Sequence, residues 1–342
     1  MADIVMTLDE VGSLSRRALL ANGASSEQAE AVAKVVEAAE ADECRSHGIY
    51  RLPGYVAALR SGRANGAARP SVTAMTPSLI RVDGDRGFAP LASEAGRSAL
   101  IAAARANGMA AMAIGNSHHF SALWADMEPL VEAGLVCWTF VVGQCSVAPW
   151  GGTQRLMGTN PIGFGWPRAD GRHYIFDFAT SAVARGEVEL RMQAGETLPE
   201  GWAIGKDGAP TTDPAIALDG ALLPFGGYKG SALSMMVELI AGPMIGEMTS
   251  RKVADLGIAD GGPPPGGQLY MAFDPRALSP SSDWKAAAEE FFADARRQAG
   301  LRLPSDRRHE ARTRTRAGGV TVPAALIDRI EALCATPAGF ST

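Results

Sequence analysis

The 342-residue sequence lacks most of the signatures by which nucleotide-binding and metal-binding proteins are sorted. No GxGxxG follows a strand-like run and no GxxxxGK(S/T) occurs, so neither a Rossmann dinucleotide site nor a P-loop is encoded. The four cysteines, Cys44, Cys137, Cys145 and Cys334, have no CxxC or other ligand spacing, which leaves buried reduced thiols as their reading. HExxH is absent as well. Aromatic residues make up only 6%, and none stands in residues 296–316, where Arg296, Arg297, Arg302, Arg307, Arg308, Arg312, Arg314 and Arg316 cluster. Without rings on which bases stack, RNA is a poor explanation of those arginines; a solvated basic face or the extra phosphate of NADPH explains them better. A net charge of −5 gives no general reason for a nucleic-acid partner. Residues 1–10 carry Asp3, Asp9 and Glu10 but no basic segment, unlike a secretory leader. The longest apolar stretch, residues 231–245, is broken by Glu238 and Pro243 and is too short to span a bilayer. A cytoplasmic protein without membrane contact is the expectation.

What is present is globular: 46% hydrophobic and 20% charged residues, in a length that suits two domains. Thr7-x-x-Glu10 and Ser25-x-x-Gln28 have capping-box spacing ahead of Ala/Val/Leu periodicity, which predicts two helices parted near Asn22-Gly23, with a third from Pro53 to Gly62. Beyond residue 75 strand and helix patterns alternate. Strands are expected at residues 79–82, 109–114, 135–142, 174–178 and 268–273, and helices at 90–106, 122–133, 230–245 and 283–299. A last short helix opens at Val322-Pro323. The class is α/β, and the Gly/Pro-rich residues 261–267 read as a surface loop or a linker.

Three segments carry candidate chemistry. Ser46-His-Gly-Ile-Tyr-Arg51 brings a hydroxyl, an imidazole and a guanidinium together, a set suited to reducing a carbonyl or imine beside a carboxylate: His47 donates the proton while Arg51 clamps the carboxylate. A helix end with an exposed arginine would have the same residues. Ser117-His-His-Phe120 follows a strand, where α/β proteins bind ligands, and a metal-dependent hydrolase centred on His118 and His119 is the alternative there. Pro224-Phe-Gly-Gly-Tyr-Lys-Gly-Ser231 places glycines and Lys229 ahead of a helix, a cradle for an anion or simply a turn with a solvated lysine.

Taken in order, Ser46-His-Gly-Ile-Tyr-Arg-Leu-Pro-Gly-Tyr55, Asn116-Ser-His-His-Phe120, Leu156-Met-Gly-Thr-Asn-Pro161, Phe176-Asp-Phe-Ala-Thr-Ser181, Leu198-Pro-Glu-Gly-Trp202, Pro210-Thr-Thr-Asp-Pro214 and Leu223-Pro-Phe-Gly-Gly-Tyr-Lys-Gly230 resemble the type-2 malate/lactate dehydrogenase family. Within it, the sequence is most similar to the Δ1-piperideine-2-carboxylate/Δ1-pyrroline-2-carboxylate reductases. The resemblance implies a non-Rossmann, sulfolactate dehydrogenase-like fold, a mixed sheet with helices on both sides. It implies a helical N-terminal segment (1–75) packed against 310–342, a central substrate and dimer region (76–122) and an NAD(P)H-binding domain (123–309), in a homodimer. It also implies the reduction of cyclic α-imino acids with NADPH, with NADH as the alternative coenzyme. The rival activities are an NAD-dependent 2-hydroxy acid dehydrogenase and a catalytically silent nucleotide-binding homologue.

By the same resemblance His47 is the proton donor, in a relay with Ser46 and Glu187, and Arg51, Thr159, Arg185 and Gly186 hold the substrate. The cofactor is placed against His119, Phe120, Ser121, Ala122, Leu123, Trp124, Asp177, Phe178, Ala179, Tyr228, Lys229, Arg307 and Arg308. His47 and Lys229 are thus expected to meet across one pocket, and a carboxylate beside His47 is expected to favour its charged form. Three positions depart from the family pattern: glutamate at 187 where these reductases have aspartate, Tyr228 where histidine precedes the lysine, and Gly143-Gln-Cys-Ser146 in place of an Asn/Ala-Ser-Pro turn.

Overall fold

The computed structural model describes residues 3–279, 281 and 283–335. A seven-stranded mixed sheet runs in the order Ser71–Thr76, Leu79–Asp83, Met109–Gly115, Gln268–Phe273, Val136–Val141, Ile162–Trp166, Tyr174–Phe178. Alternation along its strands separates two cores, because successive side chains point to opposite faces. Met112, Ile114, Cys137, Val141, Tyr270 and Ala272 pack beneath helices Ala89–Asn107 and Leu123–Glu132. Ala113, Phe140, Ile162 and Leu269 face Val237 and Ala241 at the end of helix Tyr228–Ile240. The parallel pair in this sheet, Leu79–Asp83 with Met109–Gly115, is joined through helix Ala89–Asn107, the long crossover that parallel strands require. The sheet is continuous across residue 122, so the boundary expected there falls within one structural layer.

Helices Leu8–Ala21, Ser26–Ala41 and Leu52–Arg60 form a separate core with Val320, Val322 and Ile330. Thr7 caps the first helix in a complete capping box, and Ser25 caps the second. Strand Asp3–Met6 pairs antiparallel with Val320–Pro323, so the described parts of the two chain ends meet in one two-stranded sheet. Here the sequence reading needs correction. Residues 320–323 are a strand, and the last helix starts at Ala324. The strands at Ser71–Thr76 and Ile162–Trp166 and the helices Arg185–Ala194 and Asp306–Gly318 were not expected. The apolar helix at 230–245 ends at Ile240, followed by a separate 3-10 turn at Pro243–Ile245, because proline cannot continue the helical ladder.

The arginine-rich helix Asp306–Gly318 is tied inward. Arg312 donates to Asp42 from Nε at 2.5 Å and from Nη2 at 2.8 Å, and its Nη1 lies 2.6 Å from Glu128. Asp42 is buried, and it also accepts from Trp124 Nε1 at 2.7 Å. One carboxylate therefore joins the N-terminal helices, the sheet layer and the C-terminal helix. Asp42→Ala strands the buried Trp124 indole N–H and leaves the half-buried Arg312 guanidinium to Glu128 alone, and the expected loss of unfolding free energy is roughly 1–3 kcal/mol. Urea unfolding followed by circular dichroism checks this; a loss within the roughly 0.5 kcal/mol of an ordinary surface substitution would show the junction is not structural.

Candidate active site

The segment carrying Ser46, His47 and Arg51 is two successive 3-10 turns, Arg45–His47 and Ile49–Arg51, hinged at Gly48. Glu40 Oε1 accepts from Ile49 N–H at 2.8 Å, and a Cβ on Gly48 would fall 2.0 Å from that oxygen. Only glycine lets the buried carboxylate come this close, and the bond fixes the turn that aims His47 and Arg51. Burial raises the Glu40 pKa above the usual carboxylate range. Ser46 Oγ lies 3.1 Å from His47 Nδ1, and Arg51 Nε donates to the Ser46 carbonyl at 2.6 Å. The Arg51 guanidinium stacks over Phe120 at 4.6 Å, while Trp124 meets the His47 ring edge-on at 6.1 Å.

Facing them is Thr159, positioned through its neighbour. Asn160 Nδ2 donates to Glu238 Oε1 at 2.9 Å and to Ser234 O at 3.1 Å, while its Oδ1 accepts from Gly143 N–H at 3.0 Å. Every polar atom of that buried amide is thereby used, and Thr159 is held against the loop that begins at Gly143. Helix Arg185–Ala194 supplies the third wall: a Cβ on Gly186 would sit 2.8 Å from Arg51 Nη2 and 3.8 Å from Ser46 Cβ.

Together these elements enclose a cavity of about 500 Å³, within the range of small-molecule sites. His47, Arg51, His119, Phe120, Ser121, Thr159, Arg185 and Gly186 all line it. Its charge is one-sided. Arg51, Arg155 and Arg185 face it with Glu189 as the single lining carboxylate, and Glu189 lies 3.2 Å from Arg185. Arg155 is held by the carbonyls of Gly220 and Leu218, which orient the guanidinium without cancelling its charge. Such a cavity attracts an anion.

Burial, then the charge of Arg51, then His119, lower the His47 pKa from 6.5 to about 3. Burial likewise lowers His119 to about 4, opposed by the Gln268 side chain, which raises it. Both imidazoles are therefore neutral at neutral pH in the ligand-free protein. This reverses the expectation of a carboxylate that keeps His47 charged, and the position of Glu187 is the reason. Glu187 pairs with Arg191 at 3.0 Å, one helical turn on, and is not on the cavity wall; Glu189 is.

Lys229 does not share the cavity with His47 either. Tyr228 and Lys229 are exposed at the start of helix Tyr228–Ile240, after Gly226 and Gly227, whose positive φ turns the chain outward. The segment is still continuous with the cavity: Phe225 N–H donates to Thr180 O, and Thr180 N–H to Thr159 O at 2.8 Å. Asp177 accepts from Leu123 N–H at 3.0 Å, so it pins residues 122–124 to the strand Tyr174–Phe178. Burial raises its pKa. Phe178 is exposed beside Phe225 at 5.7 Å, followed by Ala179. Arg308 is structural: it donates to the Ile175 carbonyl and lies 5.1 Å over the Trp124 ring, whereas Arg307 is exposed.

These residues fit a dinucleotide. The helix Tyr228–Ile240 starts without any side-chain cap, leaving its first N–H groups and Lys229 for phosphate, and the Phe178 and Tyr228 rings stand exposed nearby. The sequence reading did not foresee Glu189, Arg155 or the wall made by residues 258–264. Residues 261–267 are neither a linker nor only a surface loop, since His119 N–H donates to the Pro264 carbonyl at 3.1 Å and Gly261, Gly262 and Pro264 line the cavity. His118 Nδ1 is bonded to the Arg86 carbonyl at 3.0 Å, apart from His119, and no cluster of three or more metal-ligating side chains occurs among the described residues. Nor, among those residues, is any helix long and apolar enough to cross a membrane.

An anion-attracting cavity with imidazoles in its wall, on a mixed sheet without a Rossmann motif, outlines a non-Rossmann oxidoreductase. The chain belongs to the malate/L-lactate dehydrogenase family, which matches residues 6–331, and as a member it is an oxidoreductase that uses a nicotinamide cofactor. It is 59% identical over 330 residues to a Δ1-pyrroline-2-carboxylate reductase of Ancylobacter novellus, covering 96% of this chain and 97% of that one. A Δ1-pyrroline-2-carboxylate/Δ1-piperideine-2-carboxylate reductase of Pseudomonas aeruginosa is 48% identical over 332 residues, with 96% and 99% covered. The crystal structure of Δ1-piperideine-2-carboxylate reductase from Pseudomonas syringae superposes with a TM-score of 0.92 at 41% identity, covering 96% of this chain and 99% of that one.

Neutral imidazoles have an observable consequence. In ligand-free protein the His47 and His119 ring protons are expected to hold constant NMR shifts from pH 5 to pH 8, since both pKa values lie below that window. A titration midpoint near 6.5 for His47 would show that burial and Arg51 do not govern its charge.

Proposed function

We propose that this enzyme reduces a cyclic α-imino acid, Δ1-pyrroline-2-carboxylate or Δ1-piperideine-2-carboxylate, to L-proline or L-pipecolate, with NADPH as the preferred coenzyme. The observation that carries the reading is the pairing of a half-buried arginine with a neutral histidine in a cavity whose lining arginines outnumber its one carboxylate. The names of the similar reductases support the substrate class. When bound, the nicotinamide supplies the hydride that the imine carbon receives.

The residues do the remaining work. Arg51 takes the substrate carboxylate in a bidentate grip, steadied by Phe120 beneath it and by the Ser46 carbonyl at its Nε. Thr159 and the Arg185-Gly186 pair close the opposite side, and Ser46 stands beside His47 Nδ1, while Glu187, turned to Arg191, takes no part in the proton relay. An anion on Arg51 cancels part of the charge that depresses the His47 pKa, so binding the substrate raises the proton affinity of its own donor. His47 then holds a proton at the imine nitrogen and passes it on as the amine forms. Arg307, exposed beside the tethered Arg308, is the candidate for reading the extra phosphate of NADPH. A cytoplasmic homodimer is the form in which we place this activity.

A panel of both imines, pyruvate and oxaloacetate, each with NADPH and NADH, tests the reading. The imines with NADPH are expected to give the highest kcat/KM; preference for a keto acid would reassign the enzyme as a 2-hydroxy acid dehydrogenase. His47→Ala should lower turnover by about 10²–10⁴ with NADPH binding retained. Arg51→Gln should lower kcat/KM roughly 10- to 150-fold through KM, as expected for losing a charged hydrogen-bonded partner. In the NMR titration, saturating L-proline should raise the His47 midpoint, and an unchanged midpoint would separate Arg51 from the donor's charge.

A further inference from the structure

Beneath the cavity lies a buried polar chain that the mechanism above does not use. Ser121 Oγ donates to Asp126 Oδ2 at 2.9 Å, and the Tyr270 hydroxyl also bonds to the Asp126 carboxyl. Gln268 Nε2 donates to Tyr270 Oη at 2.7 Å and to Thr139 Oγ1 at 3.2 Å, and Ser93 Oγ lies 2.9 Å from Tyr270 Oη. Asp126, Tyr270, Gln268, Ser93 and Thr139 are all buried, so each proton has few places to go.

The chain has a direction. Burial raises the Asp126 pKa to about 7, and where the carboxyl is ionised Tyr270 gives it its one proton, so the Tyr270 oxygen accepts from Gln268 and Ser93. Both Gln268 N–H protons are then spent on Tyr270 and Thr139, which turns its carbonyl the other way. That carbonyl, Gln268 Oε1, is one of three buried side-chain atoms without a partner among the described residues, and His119 Nε2 is another. The Gln268 side chain acts on the His119 imidazole, so the two unmet atoms are complements, an acceptor and a nitrogen that can donate. An amide locked with its carbonyl toward the ring selects the Nε2–H form of the neutral imidazole. Nδ1 is left as the ring nitrogen available to the cavity, which His119 lines, and it is bare of a proton.

We propose that Asp126 is a positioning residue: acting through Tyr270 and Gln268, it fixes the tautomer of His119 so that Nδ1 presents a hydrogen-bond acceptor to an N–H donor bound in the cavity. Two bound groups offer such a donor, the carboxamide of the nicotinamide and the nitrogen of a protonated imine. The inference deepens the proposed reading and rests on it for the identity of the donor, but the tautomer itself does not depend on any substrate.

The test is nitrogen-15 NMR of the His119 ring in ligand-free protein, with fluorescence titration of NADPH and steady-state kinetics alongside. Wild-type protein is expected to show the Nε2–H pattern, with Nδ1 in the unprotonated range. Asp126→Leu frees the Tyr270 proton, lets Gln268 turn, and should shift both nitrogens toward a mixture of tautomers. Gln268→Met should do the same by removing the acceptor. Ser93→Ala, on the other side of Tyr270, should leave the pattern unchanged. If the carboxamide is the donor, the NADPH Kd rises roughly 2- to 10-fold in Asp126→Leu, and if the imine is, its KM rises while the Kd holds. An Nδ1–H pattern in wild type, or an unaltered pattern in folded Asp126→Leu, overturns the proposal. Should that variant not fold, Tyr270→Phe breaks the same link and decides in its place. Failure of the imine assays with an Nε2–H pattern intact would sink the substrate reading and leave this one standing.

Discussion

One buried carboxylate, Asp42, holds the molecule in the arrangement that makes the cavity. It ends the helix Ser26–Ala41, receives the Trp124 indole and is gripped by Arg312 from the helix Asp306–Gly318. Removing charges from water costs several kcal/mol, which is recovered only when every donor and acceptor is matched. Here matching requires all three parts of the chain to dock at once. Trp124, so fixed, meets His47 edge-on, and Arg308 lies over the Trp124 ring while reaching Ile175 on the outermost strand. Position of the imidazole is thus a property of the whole fold.

The same logic explains why so charged a cavity persists without a ligand. Arg51, Arg155 and Arg185 are kept apart and each is given a neutral or compensating partner: a carbonyl and a ring for Arg51, two carbonyls for Arg155, Glu189 for Arg185. Carbonyl dipoles orient a guanidinium while leaving its charge for an incoming anion, and fixed dipoles need no reorganisation when charge arrives. The histidines respond by staying neutral, which lowers the cost of burying them beside cations.

What sequence reasoning reached and missed follows from the range of the interactions. Helix Ala89–Asn107 and strands Met109–Gly115 and Gln268–Phe273 were readable because their periodicity is local. Ile162–Trp166 was not, since Gly163 and Gly165 dilute the strand signal, yet a Cβ on either would lie within 3.0 Å of Met127, Val131 or Cys137 side-chain atoms. Helix Asp306–Gly318 has no apolar stripe to betray it, and its arginines find Asp42, Glu43 and Glu128 far away in the chain. Of the motif at Ser46 to Arg51, His47 and Arg51 line the cavity, whereas Glu187 and Lys229, assigned by the family resemblance, do not. A helix fixes which of residues 187 and 189 turns inward, and a two-glycine turn fixes where Lys229 points; neither is a property of composition.

The departure at Glu187 then takes on a physical meaning. With one methylene more than aspartate, its carboxylate reaches Arg191 along the helix surface, an i,i+4 pairing of the kind that steadies exposed helices. The same helix brings Glu189 and Arg185 to the cavity, two charges that cancel each other at the wall. With Glu187 engaged outside, the carboxylate that acts on Arg51 is Glu189, which is shared with Arg185, and the remaining positive potential is left for an anion to neutralise. In the proposed reaction an anion on Arg51 offsets part of what, after burial, holds His47 neutral, so the proton and the anion would enter the cavity together.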